Sequence, residues 1–341
     1  MSERAPQPHA PQPHGTDFVG LSGWGTASAG TSDFAQMCGW AKPAHAPRDE
    51  VLEKRLKVAW LPDGRRLRLR NGPLDVVVQG FGRPSHVGRA YDAAISRARE
   101  ICQELGHDLP ALYEGRAPRG AAAWGALAAV ARLPGGLRHG WGACVALNGA
   151  IADEVLAAMT NGAPLERGFV NSRGTVALHL AEGQMLDVAV TEWPGQRQMA
   201  GRAPLDWTSR TRALVTAGWR FAPYALGCLE TLWVGGRSAA QTAASAAAIA
   251  LEAAPGALLA ELGLALERFG ERGRAAGQLV LPAGLTLPDD MADELLTLCF
   301  TRAEDLRAAG LVTMALMGVG GEERLSAPAP MTLELLNTAR H

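Results

Sequence analysis

A long segment with almost no charge, residues 238–254, constrains the fold of this chain more than any other feature. The segment is rich in Ala, and its one charged residue is Glu252. A helix that is apolar on all sides has no face suited to water, so it must be buried over most of its surface. The segment therefore predicts a layered protein in which other elements enclose a central helix.

Strand and helix patterns lie on both sides of this segment. Residues 57–70 predict a hairpin, because Asp63 and Gly64 suit the positive φ angles of a tight turn. Apolar residues at three- and four-residue spacing predict a helix over residues 87–105 that ends near Gly106. The remaining predicted elements are helices at 121–132, 143–159 and 302–309, and strands at 74–79, 169–171, 176–180, 186–191, 214–217, 229–234, around Leu295 and at 312–317. Strands in runs between long helices indicate a layered α+β fold, not a strict βαβ winding.

The charge balance limits the partners that the chain can have. It carries 33 Lys and Arg against 34 Asp and Glu, whereas nucleic-acid binders have a basic excess, so we expect no nucleic acid. No uninterrupted apolar run reaches ~18 residues, so we expect no membrane contact. The first residues are rich in Pro and His and lack the pattern of a secretory signal. We therefore expect a cytoplasmic protein, and five cysteines scattered singly fit that compartment.

The composition divides the chain into three parts. Residues 1–50 are rich in Pro, Gly and His and predict a flexible N-terminal extension. The body is predicted at residues 51–325, and residues 326–341 are a predicted C-terminal tail. Trp24, Phe34 and Trp40 would be costly to leave in water, so the extension could supply a protein contact.

No strong catalytic motif is present, and three weaker segments remain. In the first, residues 148–154, Gly149 permits a close backbone approach and Asp153 lies one turn into a predicted helix. A buried carboxylate there could bind a ligand hydroxyl or a cation, although a solvated carboxylate fits the pattern equally well.

The second and third segments each combine a tight turn or strand end with an arginine. In residues 169–176, Asn171 and Gly174 suit a turn that exposes backbone N–H groups, and Arg173 could contact an anion. A plain hairpin turn explains the same residues and is favoured. In residues 215–220, Thr216 offers a hydroxyl and Arg220 a planar cation.

Taken in order, these segments resemble the ApbE-like branch of the FAD:protein FMN transferase superfamily. The matching stretches are Leu74-Asp75-Val76-Val77, residues 152–159, Val170-Asn171, residues 177–180, residues 216–220 and residues 306–311. The similarity covers roughly residues 57–319. It implies a T-fold-like flavin-transferase architecture of antiparallel sheets with long helices, and a flavin-type ligand such as FAD in the cleft between its two halves.

The resemblance also implies a set of site residues. Asp153 would be the catalytic acid or base. The cofactor contacts would be Gly149, Asn171, Arg173, Gly174, Thr216, Gly218 and Arg220. The magnesium-binding positions fall on Gln241 and Ser245, which carry no charge, so we expect the metal site to be weak or lost.

Two functions follow from this interpretation. The first is an enzyme, or a ligand-binding relic of one, that holds a flavin or another phosphate-bearing cofactor or intermediate and serves cofactor or sulfur/one-carbon metabolism. The alternative is a non-catalytic subunit or accessory factor that acts by protein–protein contact through the N-terminal extension. A homo-oligomer is compatible with both.

Overall fold

The computed structural model describes residues 56–113, 116–137, 142–191, 199–218, 229–253 and 287–327, with two short strands at Phe18–Gly20 and Glu334–Leu335. Within these residues one large sheet carries a layer of helices on one face and a smaller sheet on the other. The N-terminal aromatic residues Trp24, Phe34 and Trp40 lie outside the described residues, as does Arg220.

The large sheet has nine strands, and every neighbouring pair in it is antiparallel. The strands are β2 Lys57–Trp60, β3 Leu67–Asn71, β4 Leu74–Phe81, β5 Arg167–Ser172, β6 Thr175–Leu180, β9 Ala213–Ala217, β10 Thr231–Gly236, β11 Met314–Val319 and β12 Glu322–Ser326. Their order in the sheet is β12-β11-β10-β9-β6-β5-β4-β3-β2. Consecutive strands are mostly neighbours, which confirms the predicted antiparallel α+β class.

The smaller sheet is built on a hairpin of two longer strands. It consists of β1 Phe18–Gly20, β7 Met185–Thr191, β8 Met199–Asp206 and β13 Glu334–Leu335, in the order β1-β7-β8-β13. β1 pairs in parallel with β7, and β13 pairs antiparallel with β8. Short pieces of the predicted extension and of the predicted tail therefore both join this sheet.

Five helices are present in the described residues. They are α1 Pro84–Tyr113, α2 Ala121–Ala131, α3 Leu147–Gly162, α4 Ala239–Glu252 and α5 Asp289–Ala308. Helix α4 is the predicted central helix, and its residues are buried from Ala239 through Leu251. It contacts α2, α3 and α5 as well as strands β9 and β10. The charge-free segment therefore has the enclosed position that its composition predicted.

The two faces of the large sheet contribute to different cores. Side chains alternate along a strand, so Val170 and Val215 face the helices. Their neighbours Phe169 and Leu214 face the smaller sheet, where they pack against Leu186. This alternation decides which side of the sheet each candidate site residue occupies.

Two predicted boundaries are wrong. The helix predicted to end near Gly106 continues to Tyr113, because buried Leu105, Leu109 and Leu112 extend its apolar face beyond the glycine. Leu295 was predicted in a strand but lies inside α5, where it is buried on the helix's apolar face. A local apolar run does not distinguish a strand from one face of a helix.

One stretch of the described residues, Ala143–Gly162, is long and apolar enough to cross a membrane by length and composition alone. Within the fold, 61% of its most apolar window is buried. It includes α3, whose partners are α1, α2, α4 and the sheet.

Candidate functional site

The first predicted segment lies where α3 crosses the beginning of α4. A Cβ atom at Gly149 would lie 2.2 Å from the carbonyl oxygen of Ala239, well inside any tolerated contact. Only a residue without a side chain permits this approach. Close helix packing therefore accounts for Gly149, which the resemblance had assigned to a cofactor.

Asp153 stabilises the same crossing. Its carboxylate oxygens accept hydrogen bonds from the backbone N–H groups of Ala239 at 2.8 Å and Ala240 at 2.9 Å. These are the first residues of α4, whose N–H groups have no partner within the helix. Ser238, the residue before α4, accepts a further bond from the N–H of Gln241. Asp153 thus caps a buried helix from a neighbouring helix.

The pKa of Asp153 is raised above its ordinary value. Burial is the main cause, the bonds from Ala240 and Ala239 oppose it, and the charge of Glu154 adds to it. A raised pKa is common for catalytic acids. Here, however, both carboxylate oxygens are already bound to α4. The catalytic assignment of Asp153 stays a prediction, while its contacts give it a structural function.

The positions assigned to magnesium, Gln241 and Ser245, lie inside the helical layer. Both are buried, and the Gln241 Nε2 donates to the carbonyl of Ala129 in α2 at 3.2 Å. A neutral amide and a hydroxyl supply no charge, whereas Mg²⁺ depends on carboxylates and phosphates. The described residues also contain no group of three or more His, Cys, Asp or Glu that could hold a metal. These residues do not fit a magnesium site.

The second and third predicted segments meet at the turn between β5 and β6. Ser172 pairs with Thr175, which leaves Arg173 and Gly174 as a two-residue loop. Their φ angles are 50° and 86°, as a type I′ turn requires. The Oδ1 of Asn171 accepts from the N–H of Gly174 at 2.9 Å and fixes the loop.

Thr216 of β9 lies directly against this turn. Its backbone N–H donates to the carbonyl of Gly174 at 3.1 Å, and its hydroxyl lies 3.4 Å from the same oxygen. A Cβ at Gly174 would lie 3.1 Å from that hydroxyl oxygen, closer than most real contacts. Asn171, Gly174 and Thr216 therefore come together, as the sequence predicted for its second and third segments.

Buried polar side chains lie near the turn on both faces of the sheet, with Ser172 and Thr175 on the helix face and Asn171 on the opposite face. Asn148, Asn171, Ser172 and Thr175 are 7%, 4%, 1% and 6% exposed. The Ser172 hydroxyl lies 3.4 Å from the Oδ1 of Asn148 at the start of α3. Arg173 is half-buried at the tip. We call Asn148, Asn171, Ser172, Arg173, Gly174, Thr175 and Thr216 the polar turn.

The three predicted segments do not all face the same way. Asn171 and Thr216 alternate with Val170 and Val215, which face the helices. The side chains of Asn171 and Thr216 therefore lie on the opposite face of the sheet, whereas Asp153 lies within the helical layer. The structure brings the second and third segments together and places Asp153 apart from them.

The remaining predicted residues have structural explanations or lie outside the described residues. A Cβ at Gly218 would lie 2.5 Å from the carbonyl oxygen of Glu230, so a close backbone approach accounts for this glycine. Arg220 lies outside the described residues.

Burial raises the pKa of the Cys144 thiol to about 12 and that of Cys102 to about 11, so neither is a ready nucleophile.

Two residues without a predicted function, Ser172 and Thr175, connect the turn to the start of α3 and to β9. The available signal was a run of polar residues between two apolar strands. Polar residues in a hairpin turn are usually solvated, whereas these two side chains are buried.

The fold and the polar turn define an α+β protein with an antiparallel sheet, helices on one face and a polar patch at one sheet end. The family model described as AbpE bacteria matches residues 58–325, so the chain belongs to this family. No curated protein matches the chain at a significant level.

This match corrects the resemblance drawn from the sequence. Membership of the ApbE-like branch of the FAD:protein FMN transferase superfamily is wrong, because the matching family is not one of the FMN transferase families. The flavin and FAD assignments that depended on it are unsupported. The shared motifs were short, and close packing explains Gly149 and Gly218, two of the glycines assigned to the cofactor.

Proposed function

We propose that the chain binds a small phosphate-bearing ligand at the polar turn. The observation that carries the proposal is the position of Arg173, a long cationic side chain in a loop whose backbone favours Gly or Asn. The amide of Asn171 and the hydroxyl of Thr216 both lie against Gly174, the next residue of the same loop. A guanidinium next to neutral donors suits the several oxygens of a phosphate.

The backbone of Arg173 supports this interpretation. A left-handed conformation costs a non-glycine residue roughly 1–2 kcal/mol. Strain of this kind concentrates at functional sites, where the side chain serves a purpose that offsets it. A Gly at position 173 would relieve the strain and leave the turn intact, but it would remove the cation.

A non-catalytic role is the second candidate function. The observation that favours it is the use of both Asp153 oxygens to cap α4, which leaves this carboxylate engaged in the fold. A protein of this kind would hold its ligand, or act as an accessory factor, without acid–base chemistry at Asp153. The T-fold-like architecture stays a prediction, and neither candidate depends on it.

Isothermal titration calorimetry with inorganic phosphate and adenosine monophosphate tests the proposal. We expect binding to the unaltered protein and a loss of at least about tenfold in affinity for Arg173→Gly, since a charge-assisted hydrogen bond contributes about 1.5–3 kcal/mol. Arg324→Ala is the matched control, because Arg324 pairs with Asp293 at the far edge of the sheet. Equal affinity in Arg173→Gly and the unaltered protein would refute the proposal.

A further inference from the structure

Strand β2 forms one edge of the large sheet, and in the described part of the chain no strand lies beyond it. All four of its residues are exposed. Val58 and Trp60 are 41% and 57% exposed, which is unusual for large apolar side chains. Edge strands are normally shielded because they invite pairing with another chain.

The backbone of β2 presents regularly spaced hydrogen-bonding groups to this edge. The N–H of Leu61 donates to the carbonyl of Arg66 at 2.8 Å in the adjoining turn. Pairs alternate between bonded and non-bonded along an antiparallel ladder. Ala59 and Lys57 therefore bond inward to β3, while the N–H and C=O groups of Val58 and Trp60 point outward.

The apolar side of this edge is held rigidly. Val58 and Trp60 pair with Leu69 and Leu67 and so lie on the helix face of the sheet. The Trp60 ring meets the Tyr91 ring edge to face, with centroids 5.4 Å apart. The Tyr91 hydroxyl is itself held, since it donates to the carbonyl of Arg65 at 2.6 Å. A strand that pairs here would find a preorganised apolar surface.

The other side of the edge is basic. Lys57 of β2 lies opposite Arg70 of β3, and Arg68 follows on the same face. The one acidic residue opposite them in β4, Asp75, is already bound by Arg68 at 2.8 and 2.7 Å and lies 3.9 Å from Arg70. Three cations and one carboxylate leave this face positively charged.

We propose that β2 is a docking edge for a partner protein, which adds an extended strand with alternating apolar and acidic side chains. Main-chain hydrogen bonds to Val58 and Trp60 provide affinity, as in other cases of strand addition. The apolar residues of the added strand lie beside Val58 and Trp60, and its acidic residues lie beside Lys57. A second copy of this chain is less suited, because two β2 edges would bring like charges onto the same face.

A synthetic peptide of alternating valine and glutamate, labelled for fluorescence anisotropy, tests the proposal on the full chain. The reference peptide has lysine in place of glutamate. We expect the acidic peptide to bind at least about tenfold more tightly than the basic one, a difference of about 1.4 kcal/mol. Lys57→Glu should reduce or reverse this difference in affinity between the acidic and the basic peptide.

Val58→Pro removes one outward N–H without removing a bond to β3, and Val58→Thr keeps that N–H as the matched control. We expect Val58→Pro to weaken binding of the acidic peptide about tenfold and Val58→Thr to leave it nearly unchanged. Equal binding of both peptides, no binding of either, or equal affinity in the two variants would overturn the proposal. So would a dimer of the free protein, seen by analytical ultracentrifugation, that Val58→Pro dissociates.

Discussion

The crossing of α3 and α4 and the turn between β5 and β6 were both predicted to contribute to a ligand site, yet their polar groups have different partners. At the crossing, Asp153 is bound by two N–H groups of α4 and Gly149 lies against Ala239. At the polar turn, Asn171 and Thr216 fix the loop that presents Arg173. A glycine and a nearby polar side chain therefore serve helix packing in one place and, in our proposal, form part of a ligand site in the other.

A second carboxylate supports the structural interpretation of the crossing. Asp108 in α1 is 1% exposed and accepts from the N–H groups of Arg119 at 2.8 Å and Gly120 at 2.6 Å, just before α2 begins. Gly120 is also closely packed, since a Cβ there would lie 2.5 Å from an oxygen of Glu104. An aspartate from one helix and a close-packed glycine thus recur at another helix start, where no ligand function was predicted.

The largest effect is expected for Gly149→Val. The new side chain would collide with the backbone of Ala239, which cannot rotate away as a flexible side chain could. We expect a loss of about 3 kcal/mol in the free energy of unfolding, measured by chemical denaturation. Gly88→Ala in α1 is the control, because nothing lies within 4 Å of its Cβ; it should be neutral or slightly stabilising. Similar stability of the two variants would contradict the tight crossing.

Asp153→Ala should have the next largest effect. It leaves two N–H groups of α4 without their partner, and we expect a loss of about 2 kcal/mol in the free energy of unfolding. Asp153→Asn keeps one acceptor oxygen and should lose about 1 kcal/mol. Glu154→Ala is the control, since Glu154 pairs with Arg97 at a half-exposed position and should lose less than about 1 kcal/mol. If the free energy of unfolding of Asp153→Ala equalled that of the unaltered protein, the capping function of Asp153 would be contradicted.

Arg173→Gly should be more stable than Arg173→Ala. Both variants lose the guanidinium and its contacts, and the glycine also relieves the positive φ angle, so we expect its free energy of unfolding to be higher by about 1 kcal/mol in the same denaturation. Arg173→Ala keeps the strain, so equal stability of the two variants would contradict this prediction. A loss of stability in Arg173→Gly would mean that the guanidinium holds the fold together, as Asp153 does.

The smallest effect concerns pH. Because the folded state raises the pKa of Asp153 above its ordinary value of 3.8, the folded chain binds this proton more tightly than the unfolded chain. The stability of the unaltered protein relative to Asp153→Asn should therefore fall as pH rises from 3.8 through the raised pKa. Chemical denaturation of both proteins across this pH range measures the difference in their free energies of unfolding. If the unaltered protein gained stability relative to Asp153→Asn as pH rises, the raised pKa of Asp153 would be contradicted.

Glu304 provides an internal contrast for the pH series. Its bonds to Arg307 and Ser326 lower its pKa from 4.5 to about 2. Its contribution to stability is therefore present above pH 4.5 and is lost as pH falls toward about 2. Glu304→Gln should remove this loss of stability at acidic pH. It should leave unchanged the pH dependence of stability that Asp153 causes.

The sequence predicted the parts of the fold that depend on local pattern. The charge-free helix, the hairpin of residues 57–70 and the α+β class are confirmed. The turn of that hairpin is longer than predicted, because Leu61 bonds to Arg66 across it, and Gly64 has a positive φ angle whereas Asp63 does not. The misplaced end at Gly106 and the misplaced strand at Leu295 have one cause, which is that tertiary packing extended a helix past a weak local signal.

The partners of the candidate site residues could not be predicted in this way. Asp153 binds a residue 86 positions later in the chain. Thr216 meets Gly174 at a separation of 42. Contacts at such separations depend on the arrangement of whole elements, so residue types alone could not tell a helix cap from a ligand contact.

Calorimetric titration of adenosine monophosphate into the unaltered protein, Arg173→Gly and Asp153→Asn tests the central claim most directly. The claim is that the polar turn binds the ligand and that Asp153 holds the helices. It predicts that affinity is lost in Arg173→Gly and kept in folded Asp153→Asn. Affinity kept in Arg173→Gly but lost in folded Asp153→Asn would contradict it.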